Sequence, residues 1–111
     1  MTMTVRQATF QMFERYYKLL EKKKDFGSGS KLPETSYSHL RGMCSLAMTN
    51  IDIWSIDKLS RWLGYVQGIL IFMGDLRINE ERDFSRPLFH AAYKSEGIDI
   101  PEIQNAIPIR D

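Results

Sequence analysis

The chain has 111 residues and a mass of 13.0 kDa, is 43% hydrophobic and 26% charged, and carries a formal net charge of +1. That is one domain with a small core and the composition of a globular chain, not a disordered one. Near-neutrality excludes a histone-like polycation, the single Cys44 excludes a disulfide framework within the chain, and one cysteine with two histidines is too few for a standard structural zinc site.

Thr4 reads as the N-cap of a first helix over residues 5–24. Phe10, Phe13, Tyr17 and Leu20 recur at helical spacing, and Met12, Tyr16 and Leu19 widen that face. Arg6, Glu14, Arg15, Lys18 and Glu21 fall largely outside it. Lys22, Lys23 and Lys24 sit in the last turn, where cations favour the helix dipole, and Gly27 is the expected stop. Residues 27–33, GSGSKLP, read as a flexible linker. A second helix is expected from about Glu34 or Thr35 to Thr49, apolar at Leu40, Met43, Leu46 and Ala47 and ended by Asn50.

Residues 51–55 form a short apolar turn containing Trp54, and Ser55 or Asp57 caps a third helix over residues 56–73, closed by Gly74. Its pattern is the clearest in the chain. Ile56, Leu59, Leu63, Val66, Leu70 and Met73 form one seam, and Trp62, Tyr65, Ile69 and Phe72 form a second beside it. A helix apolar over so much of its circumference is expected to be the hub of the fold. Ser60, Gly64 and Gly68 recur every four residues on one stripe. Each glycine costs about 1 kcal/mol relative to alanine inside a helix, so the stripe points to close approach of another backbone. That backbone belongs either to this chain or to a second copy in a homo-oligomer. The most apolar run, residues 62–73, is interrupted by Gln67 and falls short of the roughly 20 residues a membrane span needs. The N-terminus lacks the charged-then-apolar pattern of a secretory signal, and the lone Cys44 fits a reducing compartment. The expectation is a cytoplasmic protein with no membrane segment.

Asn79 is the expected N-cap of a fourth helix with Glu80 and Glu81 in its first turn. Ser85 and Pro87 suggest a second start or a kink, and Leu88, Phe89, Ala91, Ala92 and Tyr93 continue as helix until Gly97. Residues 98–111, with Pro101 and Pro108, read as an extended tail that docks through Ile98, Ile100 and Ile103. The fold class is therefore all-α: a single domain, residues 1–111, forming a compact bundle of about four helices with a hydrophobic central helix.

No arrangement in the sequence calls for a catalytic group, a metal or a cofactor. The GSGSK segment has the wrong spacing for a phosphate loop, lacks its Ser/Thr and follows a helix, not a strand. Cys44 and His39, five residues apart, do not share a helix face, so Cys44 reads as a small buried hydrophobe and His90 as a packed, hydrogen-bonded histidine. Glu80, Glu81 and Asp83 beside Arg82 and Arg86 read as a solvated or structural helix start. Arg82 and Arg86, four apart, could instead hold an anion or a partner's carboxylate. Charge is uneven: residues 1–50 hold eight Lys/Arg against four Asp/Glu, a balance of +4, and residues 51–111 hold seven against ten, a balance of −3. The basic stretch is a thin footprint for nucleic acid. A helix-turn-helix formed by helices two and three would present Leu59, Trp62, Leu63 and Val66 where polar readers are needed.

The segments LSRWLGYVQG, residues 59–68, and INEERDFSRPLFHAAY, residues 78–93, resemble small proteins of unassigned function encoded by tailed bacteriophages. The resemblance covers the second half of the chain and brings no catalytic residues. It implies a phage accessory protein acting in the host cytoplasm, a non-enzymatic inhibitor that binds a host or anti-phage defence factor. Lys22, Lys23, Lys24, Arg82 and Arg86 are the candidate contacts for a partner or an anion, and Ser60, Gly64 and Gly68 the candidate oligomer stripe. One alternative is an oligomeric sponge for an anionic nucleotide, with Arg82, Arg86 and an aromatic such as Trp54 or Tyr93 on the base. A small nucleic-acid-binding regulator is another.

Overall fold

Helix starts and stops follow local side-chain chemistry. In the computed structural model, which describes residues 3–25 and 32–98, four α-helices run α1 (Val5–Glu21), α2 (Tyr37–Thr49), α3 (Ile56–Phe72) and α4 (Ile78–Ser95), with one 3₁₀ turn at Pro33–Thr35. The Gly27 stop, most of the glycine-serine linker and the docking of Ile100 and Ile103 lie outside the described residues. Thr4 opens α1 with a full capping box: its hydroxyl accepts from the Gln7 N–H while the Gln7 side chain accepts from the Thr4 N–H. Ser36 caps α2 and Ser55 caps α3 through the hydroxyl alone, which accepts from His39 N–H and Lys58 N–H. Gly74 and Gly97, at φ +83° and +71°, close α3 and α4 in Schellman turns, in which Asp75 N–H donates to Leu70 and Ile98 N–H to Tyr93.

Four boundaries differ from the sequence expectation, among them the start of α2, which is Tyr37 and not Glu34 or Thr35. Helix α1 ends at Glu21, short of residue 24, because the following chain docks elsewhere. Lys23 pairs with Asp75 at 2.9 Å, and the Asp25 carboxylate accepts from Tyr37 N–H, Ser38 N–H and Ser38 Oγ at the start of α2. Pro33 belongs to the 3₁₀ turn, not to the linker. Helix α4 starts at Ile78 after Arg77, with no side-chain cap, so Asn79 lies inside it. The helix also continues through Pro87, without the second start that Ser85 and Pro87 suggested. Pro87 and Asp83, the residue whose carbonyl loses its helical donor, are both exposed, so water can satisfy that carbonyl.

The path is up-down-up-down. Arg6, at the start of α1, donates to the carbonyls of Ile51 and Trp54 between α2 and α3, at 2.8 and 2.6 Å. Asp75, after α3, meets Lys23 at the other end of α1. Helix α4 returns along α1: Glu81 pairs with Arg15, Glu96 accepts from Val5 N–H, and Ser95 Oγ donates to Met3 O. The main core joins Met12, Phe13, Tyr16 and Leu20 of α1 to Leu40, Cys44 and Ala47 of α2 and Leu59, Val66 and Leu70 of α3. A smaller cluster of Val5, Ala8 and Ala92 fastens α4.

The fold class is the expected all-α bundle, and residues 56–72 are its most apolar helix. The hub, however, is α1. It buries Val5, Ala8, Thr9, Met12, Phe13, Tyr16 and Leu20, whereas α3 buries only Leu59, Val66 and Leu70. Helix α1 packs against each of the other three helices, and α3 lies to one side along α1 and α2. Of α3's large apolar side chains, Tyr65 and Phe72 are exposed, while Ile56, Trp62, Leu63 and Ile69 are half-buried against the core.

Candidate functional site

The polar groups that the fold encloses hold helices together. Glu81 is 2% exposed, so the acidic start of α4 is not wholly solvated. Its carboxylate takes Arg15 Nε and Nη2 at 3.3 and 3.1 Å and the Tyr16 hydroxyl at 2.8 Å. Gln67 of α3 donates to the same hydroxyl at 2.8 Å, so one chain of bonds crosses α3, α1 and α4. Phe84 lies under the Arg15 guanidinium, 3.9 Å from its carbon to the ring centroid. Burial first, and then the bond to Glu81, hold the Tyr16 phenol well above its ordinary pKa, so it stays a protonated donor. The Arg15 guanidinium is held more firmly charged, chiefly by its bond to Glu81. A sequence signal for this site existed: Glu81 stands seven and eleven residues before Leu88 and Ala92, on the same helix stripe.

Cys44 is fully buried, and burial pushes its thiol pKa up to about 12, so it is an unreactive core group as the sequence suggested. His39 is exposed on α2. His90 is exposed as well, not packed, because α1 covers only the Ala92 side of α4. Among the described residues, no group of three or more His, Cys, Asp or Glu is placed to hold a metal ion. No described helix is long and apolar enough to cross a membrane.

The stripe of Ser60, Gly64 and Gly68 is exposed. A β-carbon built on Gly64 or Gly68 meets nothing within 4 Å, so these glycines are not required for packing inside the described chain. One turn further along the same line stands Phe72, at 88% the most exposed large hydrophobic side chain described. Tyr65 flanks the line, and its hydroxyl donates to the Glu34 carbonyl at 2.8 Å. The Asp57–Arg61 pair, 3.2 Å apart, lies at the N-terminal end of this face. The outward side of α3 is therefore polar in its first two turns. Its last turns are small and apolar, over about 12 Å from Gly64 to Phe72 at helical rise. Such a surface lets another backbone approach closely beside an aromatic anchor.

The candidate cations are dispersed. Lys22 and Lys24 are exposed after α1, while Lys23 is already paired with Asp75, and Tyr37 donates to the other Asp75 oxygen at 2.8 Å. Arg82 and Arg86 form no ion pair among the described residues. Neither arginine lies over an aromatic ring among the described residues. Trp54 stands edge-on to Trp62, 4.6 Å between centroids, beneath Lys58 Nζ at 3.8 Å, and Tyr93 lies beside Phe89. Leu59 and Val66 are buried and Trp62 and Leu63 half-buried, so the residues that a helix-turn-helix would present belong to the core side of α3. Comparison with family models, curated proteins and solved structures found no match for this chain.

Proposed function

We propose that this chain is a non-enzymatic binding protein that acts by occupying a partner's surface, and that the outward side of α3 makes the contact. One observation carries this reading: Gly64 and Gly68 stand in open space on a line that ends in the exposed Phe72. Two helix-weakening glycines that no neighbour among the described residues requires, next to an exposed aromatic ring, are what a close helix–helix contact with another molecule calls for. The resemblance of residues 59–68 and 78–93 to small tailed-phage proteins supports a host or anti-phage defence factor as that partner, and the host cytoplasm as the place of action. Self-association through the same face is the second reading, favoured by the four-residue spacing of Ser60, Gly64 and Gly68.

The test compares the wild-type protein with a Gly64→Arg/Gly68→Arg variant. Both positions have room for a side chain, so the variant is expected to fold with an unchanged circular-dichroism spectrum. Affinity capture from bacterial host lysate should recover a protein with the wild type that the variant fails to hold. Equal recovery by both sinks the α3 reading. Light scattering on the two proteins separates the second reading, since a wild-type dimer that becomes a monomer in the variant assigns the face to a second copy.

A further inference from the structure

A second surface, built without α3, lies along the start of α1. The outward side of the first turns of α1, the turn after α2 and Glu96 after α4 enclose an open groove of about 800 Å³. That volume lies within the range of ligand sites, roughly 300 to 1,000 Å³. Phe10 and Ile51 give it apolar lining, and Glu14, Asp52 and Glu96 bring three carboxylates. Its one cation is already occupied, because Arg6 Nη1 donates to the carbonyls of Ile51 and Trp54. The carboxylates are weakly engaged. Glu14 meets only the exposed Lys18 at 3.7 Å, Glu96 accepts from Val5 N–H at 3.3 Å, and Asp52 makes no side-chain bond among the described residues.

We propose that this groove binds a short cationic segment of a partner protein, with an apolar side chain against Phe10 and Ile51 and Lys or Arg side chains toward Glu14 and Asp52. Charge decides against the chain's own C-terminal segment as occupant. Residues 99–111 carry Asp99, Glu102 and Asp111 against Arg110 alone, and like charges repel. An apolar floor with acidic walls selects instead for basic, amphipathic peptide, and the electrostatic component makes that binding fall as salt rises.

The experiment uses the full chain and two fluorescein-labelled hexapeptides, alternating Arg and Leu or alternating Glu and Leu, read by fluorescence anisotropy at low and high salt. The Arg-Leu peptide should saturate, the Glu-Leu peptide should not bind, and backbone amide signals of Phe10 and Ile51 should shift on titration. Glu14→Gln and Asp52→Asn should each weaken binding about fivefold, the scale of one solvent-edge charge pair. Asp83→Asn on α4 should leave binding unchanged. Absence of saturable binding, or equal binding by Glu14→Gln, Asp52→Asn and wild type, overturns the proposal. So does self-association abolished alike by Glu14→Gln and Lys22→Glu, which gives the groove to a second copy.

Discussion

Helices α1 and α3 are both 17 residues long and run in the same direction through the fold, yet they are used differently. Helix α3 is the more apolar in sequence, and α1 carries Arg6, Glu14, Arg15, Lys18 and Glu21. Nevertheless α1 encloses seven residues and α3 three. The difference is one of neighbours. Helix α1 is flanked by α2, α3 and α4, whereas α3 is flanked on one side only. Hydrophobic content sets how much a helix could bury; the arrangement of other helices decides how much it does bury, and the remainder stays exposed.

The contrast predicts a ladder of effects. Phe13→Ala, in the enclosed face of α1, should lower unfolding free energy by about 3 to 5 kcal/mol in urea titrations. A loss below about 1 kcal/mol there would mean that α1 is not the hub. Glu81→Gln comes next, at about 1 to 3 kcal/mol, because it leaves the Tyr16 hydroxyl and Arg15 without their charged acceptor while Arg15, 38% exposed, can still turn to water. The same network has a pH signature. Tyr16 is held protonated above the ordinary tyrosine value of 10.0, so the unfolded chain releases this proton at lower pH than the folded one. Its contribution is complete below pH 10 and is lost as pH rises beyond it, and Tyr16→Phe should flatten that alkaline fall in melting temperature.

Smaller effects sharpen the other half of the comparison. Gly64→Ala and Gly68→Ala should each raise stability by about 1 kcal/mol, because the helix gains propensity and the new methyl group meets no atom. Destabilisation by either would show that the stripe is packed within the monomer. If the α3 reading is right, these alanine variants should melt higher and still bind more weakly. Phe72→Ala should change stability by less than about 0.5 kcal/mol, since its ring is already in water when the protein is free.

Much of the local architecture was legible before the fold was known. Thr4, Ser36 and Ser55 as caps, and Gly74 and Gly97 as stops, act through hydrogen bonds within a few residues. Ser36 was the exception in reading, hidden by a 3₁₀ turn that begins at the linker's own proline. For Glu81 the sequence left a solvated or a structural helix start open, because charge runs at helix starts usually face water. Only the approach of Arg15 and Tyr16 from α1 made its burial affordable. For Ser60, Gly64 and Gly68 the sequence left two partners open, and the structure removed the one inside the described chain.

By itself, then, the amino-acid order determined the caps at Thr4 and Ser55, the stops at Gly74 and Gly97, which faces are apolar and that an all-α fold results, because capping and periodicity are short-range properties. Which helix stands at the centre, which carboxylate is buried and which apolar face remains uncovered were decided only in three dimensions. Those properties depend on contacts between residues such as Arg15 and Glu81, 66 positions apart in the chain, and no local pattern encodes them.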